Sequence, residues 1–127
     1  MYKLLVVDDE AIIRQGILCS IDWNSLDIKA FEANNGITAY DMISKEKYDI
    51  VLLDIKMPEI DGKYLFEIIE EYDPKVKIIV SSVYPIDKQK ALIPKATDYF
   101  DKSQGLVMLL DKVDTLLAGK TDERQLE

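Results

Sequence analysis

The sequence predicts a three-layer α/β sandwich built on a five-stranded parallel sheet. Short apolar segments with the character of strands alternate strictly with amphipathic segments of helical spacing. Such alternation is typical of parallel strands that are joined by right-handed helical crossovers. The 127 residues suffice for one domain with a full core, and no apolar run is long enough to span a bilayer. We therefore expect a single soluble domain.

The five predicted strands are short and differ in polarity. They are Lys3–Val7, Ile28–Ala33, Ile50–Leu53, Lys77–Val80 and Asp98–Phe100. The first and third are uniformly apolar, as expected for central strands that are covered on both faces. Lys29 and Glu32 indicate that the second strand is more exposed. These differences favour the strand order 2-1-3-4-5.

Five helices are predicted to follow the strands. They begin near Ala11, Ile37, Lys63, Ile86 and Gln104. The clearest core-facing stripes are Leu65, Ile68, Ile69 and Tyr72, and then Leu106, Leu109, Leu110, Val113, Leu116 and Leu117. The only cysteine, Cys19, cannot form an internal disulfide, and its apolar neighbours predict a small buried side chain.

Charge and composition exclude several classes of function. The chain has 16 Lys plus Arg, 24 Asp plus Glu and a net charge of -8. An acidic surface repels phosphate backbones and anionic lipid, so we expect no direct nucleic-acid binding and no membrane binding. Because the chain has no histidine, His-based metal sites and catalytic triads are excluded. The amino-terminal residues lack the pattern of a secretory signal, which favours a cytoplasmic location.

Polar residues stand where the predicted strands end. They are Asp8, Asp9 and Glu10 after the first strand, Asp54 after the third, Ser81 and Ser82 after the fourth, and Asp101 and Lys102 after the fifth. Ligands of open parallel sheets bind at this edge, and the first and third strands are predicted neighbours. We therefore expect Asp8, Asp9 and Asp54 to share one pocket.

Three carboxylates in one pocket repel one another unless a cation lies among them. Oxygen ligands without His or Cys favour Mg²⁺. The alternative is that Asp8 and Asp9 only cap the first helix and that Asp54 is an ordinary loop carboxylate. The agreement among all the strand ends favours the metal site.

Asp54 is the candidate nucleophile of this pocket. A carboxylate beside a metal ion can attack phosphorus and form an acyl phosphate. The hydroxyl of Ser82 and the ammonium of Lys102 would then bind the other phosphoryl oxygens. For Lys102 taken alone, a solvated surface lysine is the simpler interpretation.

Four segments resemble the receiver domains of two-component response regulators, over about residues 2–118. They are 6–10 (VVDDE), 54–62 (DIKMPEIDG), 79–82 (IVSS) and 98–102 (DYFDK). The resemblance implies a flavodoxin-like (CheY-like) sandwich with five helices. It also implies a receiver domain at residues 1–118 and a linker or tail at 119–127 that leads toward an absent output domain.

The resemblance assigns a role to each site residue. It implies that Asp54 is the phosphoacceptor and that Mg²⁺ is held by Asp9, Asp54 and the backbone carbonyl of Lys56, with Asp8 acting through water. Lys102 is the implied partner of the phosphoryl group.

Two further residues match the switch positions of receivers. Ser82 resembles the switch hydroxyl, with Ser81 as the alternative one residue earlier, and Tyr99 resembles the aromatic that turns inward. Tyr99 could equally be a plain edge-strand aromatic. Lys56 and Tyr84 match positions that flank the route of hydrolytic water.

The segment 21–23 (IDW), with Leu26, resembles receivers joined to AraC-type DNA-binding domains, the YesN-like subgroup. This implies phosphorylation by a sensor histidine kinase, control of a covalently attached DNA-binding domain, and a homodimer through the fourth helix, fifth strand and fifth helix. The protein would not be an enzyme beyond phosphorylating itself from small donors and dephosphorylating itself. Trp23 could instead simply clamp the first helix to its loop.

The sequence departs from the receiver pattern at three positions. Ser103 replaces a proline that usually follows a cis peptide bond, Val83 replaces a small residue, and Lys95, after Pro94, replaces a glycine. These changes affect the aim of Lys102, access to Asp54 and the end of the fourth helix.

Three other functions compete with a transcriptional receiver. A stand-alone or phosphorylation-independent receiver that acts through protein contacts would have the same sequence features. An aspartyl-phosphate phosphohydrolase would need a carboxylate at Lys56, and a flavodoxin-like cofactor binder would need a neutral phosphate loop in place of Asp8, Asp9 and Glu10. The last two are disfavoured.

Overall fold

The computed structural model describes the backbone of residues 2–24 and 27–126 and the side chains of residues 2–21 and 27–119. Its five strands are β1 (Tyr2–Val7), β2 (Ile28–Ala33), β3 (Ile50–Leu53), β4 (Lys77–Ser82) and β5 (Asp98–Asp101). All four pairings are parallel, and the order across the sheet is β2-β1-β3-β4-β5. The predicted strand order is therefore confirmed.

Five α-helices connect and follow the strands. They are α1 (Ala11–Asn24), α2 (Gly36–Lys45), α3 (Gly62–Tyr72), α4 (Ile86–Leu92) and α5 (Leu106–Leu126). A 3₁₀ turn, Lys102–Gln104, occupies the position where the fifth helix was predicted to begin. None of the described helices combines the length and the apolar character that crossing a membrane requires.

The sheet is covered on both faces. Successive side chains of a strand point to opposite faces, so Leu5 and Val51 pack with α2 and α3, whereas Leu4 and Leu52 pack with α1 and α5. The central strands β1 and β3 are almost wholly buried, and Lys29 and Glu32 of the edge strand β2 are exposed. The predicted exposure pattern of these strands is confirmed.

Strand β4 is two residues longer than predicted. Ser81 and Ser82 pair with Phe100 and Asp101 of β5, so they lie within the sheet and not beyond it. The sequence prediction ended this strand at Val80 because serine lacks the branched apolar side chain that typifies strands. The pairing with β5 overrides that weak preference.

Two predictions about burial are wrong. Cys19 is exposed, because Ile17 and Ile21 form the buried side of α1 and Cys19 lies roughly 200° around the helix from each of them. Tyr72 is 51% exposed, because it lies in the last turn of α3, where its hydroxyl oxygen is 3.3 Å from that of Tyr40. The other members of the two predicted helical stripes are buried or partly buried.

Candidate functional site

An open cleft of about 500 Å³ lies at the carboxyl edge of the sheet. Its walls come from the segments that follow β1, β3, β4 and β5, namely Asp9, Glu10, Asp54, Lys56, Met57, Pro58, Val83 and Lys102. The predicted site residues Asp9, Asp54, Lys56 and Lys102 are thus brought together. Asp8, Ser82 and Tyr99 do not line this cleft, although Asp8 was predicted to share it with Asp9 and Asp54.

Asp54 is held at the base of the cleft by the sheet itself. Its backbone N–H donates to the carbonyl of Val7 at 2.9 Å, which continues the pairing of β3 with β1. Its side chain is almost fully buried, and the backbone N–H of Lys56 donates a hydrogen bond to the carboxylate. Asp54 therefore has one fixed position beside the end of β1.

The loop after Asp54 folds back tightly against it. The N–H of Gly62 donates to the carbonyl of Ile55 at 2.7 Å, and a Cβ atom on Gly62 would lie 2.1 Å from the backbone oxygen of Asp54. Only glycine can approach the strand end this closely. Glu59, in the same loop, has a positive φ of 69°, which non-glycine residues rarely adopt.

Lys102 supplies the positive charge of the site. Its Nζ lies 2.7 Å from Oδ2 of Asp8, 3.6 Å from Oδ2 of Asp54 and 3.8 Å from Oε1 of Glu10. Its side chain is only 10% exposed, so the alternative of a solvated surface lysine is wrong.

Burial and neighbouring charges perturb the ionisation of this group of residues. Burial raises the pKa of Asp54 to about 7, with Lys102 opposing the shift and Asp8 and Asp9 adding to it. Burial alone would lower the pKa of Lys102, but its hydrogen bond to Asp8 and the charges of Asp54 and Glu10 raise it overall. Lys102 is therefore held in its charged form, whereas the site favours the protonated form of Asp54 relative to an exposed aspartate.

The acidic residues after β1 have the chemistry of a site for a hard divalent cation. Carboxylate oxygens of Asp8, Asp9 and Glu10 lie within 4.8 Å of one another. All are oxygen donors, and the charges of Asp8 and Asp9 add to the burial that raises the pKa of Asp54. These residues fit Mg²⁺, and Glu10 belongs to the cluster although it was not among the predicted ligands.

Arg14 of α1 supports the acidic loop and was not predicted from the sequence. Its buried guanidinium donates to the backbone carbonyl of Asp8 at 2.8 Å, and its Nε lies 3.3 Å from Glu32 of β2. The Asp8 side chain accepts the N–H of Glu10 at 2.9 Å. An arginine five residues after Asp9 in a predicted helix is typical of a surface position, so no sequence signal indicated this role.

The 3₁₀ turn holds Lys102 without the proline that receivers usually have. No cis peptide bond occurs among the described residues. Instead, the backbone N–H and the hydroxyl of Ser103 both donate to Oδ1 of Asp101, at 2.9 and 2.8 Å, and the side chain of Gln104 accepts the N–H of Asp101. The two hydrogen bonds from Ser103 lower the pKa of Asp101.

The two predicted switch residues are buried and do not line the cleft. Ser82 is fully buried, and its hydroxyl oxygen accepts the N–H of Tyr84 at 3.1 Å. Tyr99 is buried and donates from its hydroxyl to the carbonyl of Ile93 at 2.5 Å. Tyr99 is thus a buried aromatic on the edge strand β5, and its role as a switch residue stays a prediction.

The other two positions at which the sequence departs from the receiver pattern lie at the rim of the cleft and after α4. Val83 is 65% exposed and lines the cleft. Helix α4 ends at Leu92, before Pro94 and Lys95, with the N–H of Ile93 donating to the carbonyl of Gln89. The side chain of Trp23 and all of Leu26, which carried the AraC-type resemblance, lie outside the described residues.

Residues 4–114 match the family model of the response regulator receiver domain. The chain belongs to this family. As a receiver domain it is part of a two-component response regulator, and its five parallel strands and five helices have the CheY-like arrangement that was predicted. The family resemblance inferred from the four sequence segments is confirmed.

Relatives of this receiver domain include transcriptional regulators. It is 41% identical over 83 residues to the uncharacterized transcriptional regulatory protein YesN of Bacillus subtilis, covering 65% of this chain and 23% of YesN. The chain matches between 23% and 64% of the length of the first curated relatives. The predicted YesN-like resemblance is confirmed.

Two solved structures share both fold and sequence with this receiver domain. The receiver domain of AraT, a response regulator from Geobacillus stearothermophilus, is 32% identical with a TM-score of 0.85, and the match covers 97% of this chain and 98% of that one. The response regulator TrrA from Thermotoga maritima, in complex with Mg²⁺-BeF, is 31% identical with a TM-score of 0.82, covering 91% and 99%.

Proposed function

We propose that this receiver domain accepts a phosphoryl group on Asp54 from a sensor histidine kinase and thereby controls a DNA-binding transcriptional output. The observation that carries the proposal is the buried carboxylate of Asp54, with a pKa of about 7, whose Oδ2 lies 3.6 Å from Nζ of Lys102. The chain has no histidine, so the phosphohistidine donor lies outside these 127 residues.

The transfer is a displacement at phosphorus. An oxygen of ionised Asp54 forms the new P–O bond while the P–N bond to the donor imidazole breaks, and the imidazole nitrogen keeps the electron pair. The ammonium of Lys102 neutralises charge on the phosphoryl oxygens, and the hydroxyl of Ser82 donates a hydrogen bond to one of them. The phosphoryl group thereby displaces Lys102 from part of its contact with Asp8.

A bound Mg²⁺ would neutralise the charge that opposes the approach of a phosphoryl group to a carboxylate. We assign as its ligands Asp9, Asp54 and the backbone carbonyl of Lys56, with Asp8 acting through water. The support is the all-oxygen acidic cluster and the raised pKa of Asp54, together with the description of TrrA in complex with Mg²⁺-BeF.

The output surface in this proposal is formed by α4, β5 and α5. When the phosphoryl group is bound, Ser82 moves toward it and Tyr99 turns inward behind Ser82. These movements favour one packing of α4, β5 and α5, and two copies of the protein pair through that surface. Lys56 and Tyr84 flank the water that hydrolyses the acyl phosphate. The domain thus acts as a phosphoacceptor with self-dephosphorylation, and not as a conventional enzyme.

The output itself is proposed from the relatives. We assign the receiver to residues 1–118 and the connection toward a DNA-binding domain to residues 119–127, which continue α5 as far as Leu126. YesN is described as a transcriptional regulatory protein and is much longer than the matched region. We place the protein in the cytoplasm, where it can meet both a kinase and DNA.

Intact mass spectrometry after incubation with acetyl phosphate tests this function. Wild-type protein should gain one phosphoryl group in the presence of Mg²⁺. Wild-type protein without Mg²⁺ should give almost no phosphorylated product, and neither should the Asp54→Asn variant. Asp114→Asn, which changes an exposed carboxylate of α5, is the matched control and should react normally. The same test in the presence of a kinase addresses the natural donor.

One observation favours the alternative function, a receiver that acts through protein contacts without being phosphorylated. Val83 is 65% exposed at the rim of the cleft, where receivers usually have a smaller residue. If wild-type protein and Val83→Ala both remain unmodified with Mg²⁺ and acetyl phosphate, the phosphoacceptor proposal is wrong and a protein-contact module is the better description.

A further inference from the structure

Gln89 is a fully buried polar residue of α4 whose amide joins three segments of the chain. Its Nε2 donates to the carbonyls of Tyr84 at 2.8 Å and Phe100 at 2.9 Å, and it lies 3.5 Å from the carbonyl of Ser82. Because all three neighbours are acceptors, the nitrogen of the amide and not its oxygen must face them. One side chain therefore connects α4 to β4, to the following loop and to β5.

The segments that Gln89 connects are those that carry Ser82 and Lys102. Phe100 lies two residues before Lys102 and pairs with Ser81 across the sheet. The backbone carbonyl of Tyr84 accepts a hydrogen bond from Gln89, and the backbone N–H of Tyr84 donates one to the hydroxyl oxygen of Ser82. The amide thus constrains both groups that would contact a phosphoryl group.

Packing alone does not explain a glutamine at this position. The Oε1 of Gln89 is buried and has no hydrogen-bond partner among the described residues. A buried acceptor without a partner lowers stability, and an apolar side chain of the same length would avoid that loss. The donor face of the amide is therefore the property that distinguishes Gln89 from an aliphatic residue here.

We propose that Gln89 is a positioning residue of the phosphoryl pocket, which fixes Ser82 relative to Lys102 and transmits displacement of Ser82 to α4. The inference rests on the proposed function of Asp54. It adds a residue that neither the receiver motifs nor the cleft lining contains.

Gln89→Met tests this role because it keeps the length of the side chain and removes the donors. Beryllofluoride, a mimic of the phosphoryl group, is the probe, with Mg²⁺ present, and Mg²⁺ alone is titrated separately. We expect affinity for beryllofluoride to fall about tenfold, as for loss of a hydrogen-bonded constraint. Affinity for Mg²⁺ should not change, because its proposed ligands lie after β1 and β3, whereas the hydrogen bonds of Gln89 go to β4, the following loop and β5.

Ile43→Ala is the matched control for a general loss of stability. Ile43 is a buried residue of α2 near Tyr48 and Val76, which precede β3 and β4 at the opposite edge of the sheet. This variant should lose stability and keep both affinities. Equal binding of beryllofluoride by Gln89→Met and wild type would overturn the role of Gln89 alone, whereas a wild type that binds no beryllofluoride would contradict the phosphoacceptor proposal as well.

NMR of the wild type covers the case in which Gln89→Met does not fold. In protein labelled with ¹⁵N at glutamine, the buried side-chain amide of Gln89 should exchange its protons slowly and should shift when beryllofluoride and Mg²⁺ are added together. It should not shift with Mg²⁺ alone. The exposed Gln15 of α1 is the internal reference, and an unmoved Gln89 amide would overturn the proposal.

Discussion

Asp54 occupies a site that opposes its own ionisation. Burial and the neighbouring Asp8 and Asp9 raise its pKa to about 7, although Lys102 and the N–H of Lys56 favour the charged form. A carboxylate of this kind is a stronger base than an exposed aspartate and is still ionised in part at neutral pH. A cation bound beside it would complete the ionisation, so reactivity and metal binding are linked at one residue.

Asp54→Asn should stabilise the fold at high pH. The pKa of Asp54 rises from 3.8 to about 7 on folding, so ionisation costs stability increasingly from pH 4 to pH 7 and by a constant amount above. Without Mg²⁺ we expect a gain of at most about 4 kcal/mol at pH 8, the equivalent of about three pKa units, and little difference at pH 4. Urea unfolding at both pH values measures this, and a variant no more stable than wild type at pH 8 would contradict the account.

Gly62→Ala should displace Asp54. The added Cβ would lie 2.1 Å from the backbone oxygen of Asp54, so the strand end or the loop must move. We expect a loss of about 2–4 kcal/mol in the free energy of unfolding and slower phosphorylation. Gly16→Ala in α1 is the control, because its Cβ meets nothing within 4 Å and should stabilise the helix. Similar effects of the two substitutions would refute this explanation.

Two buried polar residues show the limit of sequence analysis at this scale. Arg14 and Gln89 lie in helices, where a polar side chain ordinarily faces water, and only the packing of α1 and α4 on the sheet buries them. Cys19 shows the opposite error, since apolar sequence neighbours do not establish which side of a helix a residue occupies. Asp54 was found because its position at a strand end depends only on the strand pattern.

At the scale of elements, the 3₁₀ turn after β5 positions Lys102 although Ser103 stands where receivers usually have a proline. Both donors of Ser103 bind Asp101, and Gln104 closes the other half of a capping box. The sequence predicted helix from Gln104 because a single 3₁₀ turn has no periodicity of its own. The turn holds Lys102 between Asp8 and Asp54 through local bonds.

Asp101→Ala should weaken the placement of Lys102. Loss of the acceptor for both Ser103 donors frees the turn, so we expect phosphorylation by acetyl phosphate to slow by roughly threefold to tenfold, as for about one lost hydrogen bond. Asp114→Ala, on the exposed side of α5, is the control. An unchanged rate would show that the sheet alone positions Lys102.

Element boundaries were predicted well where hydrophobic periodicity changes. Helices α1 to α4 begin within one residue of their predicted starts, because each follows a clear switch from strand to helical spacing. The end of β4 was missed because the pairing of Ser81 and Ser82 with β5 is a tertiary contact that serine's own preference does not reveal.

At the scale of the whole molecule, the order of the sheet creates the site. Central strands β1 and β3 place Asp8, Asp9 and Asp54 side by side, and β4 and β5 bring Ser82 and Lys102 to the same edge. The fold was predictable because strict alternation of strands and helices allows few topologies. The ionisation of the charged residues in the cleft was not predictable from the sequence, because it depends on distances of a few ångströms between their side chains.

Mg²⁺ should stabilise the whole domain through this one site. A ligand that binds only the folded state adds about 2.7 kcal/mol at one hundred times its dissociation constant. We therefore expect the melting temperature at pH 7.5 to rise with Mg²⁺ for wild type and much less for Asp9→Asn. Glu67→Gln, an exposed change on α3, should behave as wild type. An equal rise in all three would place the cation elsewhere.

The central claim, that Asp54 itself carries the phosphoryl group, is tested most directly by chemical trapping. Protein treated with acetyl phosphate and Mg²⁺ is reduced with borohydride, which converts an acyl phosphate of aspartate to homoserine, and the modified residue is located by tandem mass spectrometry. We predict homoserine at position 54 and at no other carboxylate. Homoserine at Asp8 or Asp9, or none at all, would contradict the account.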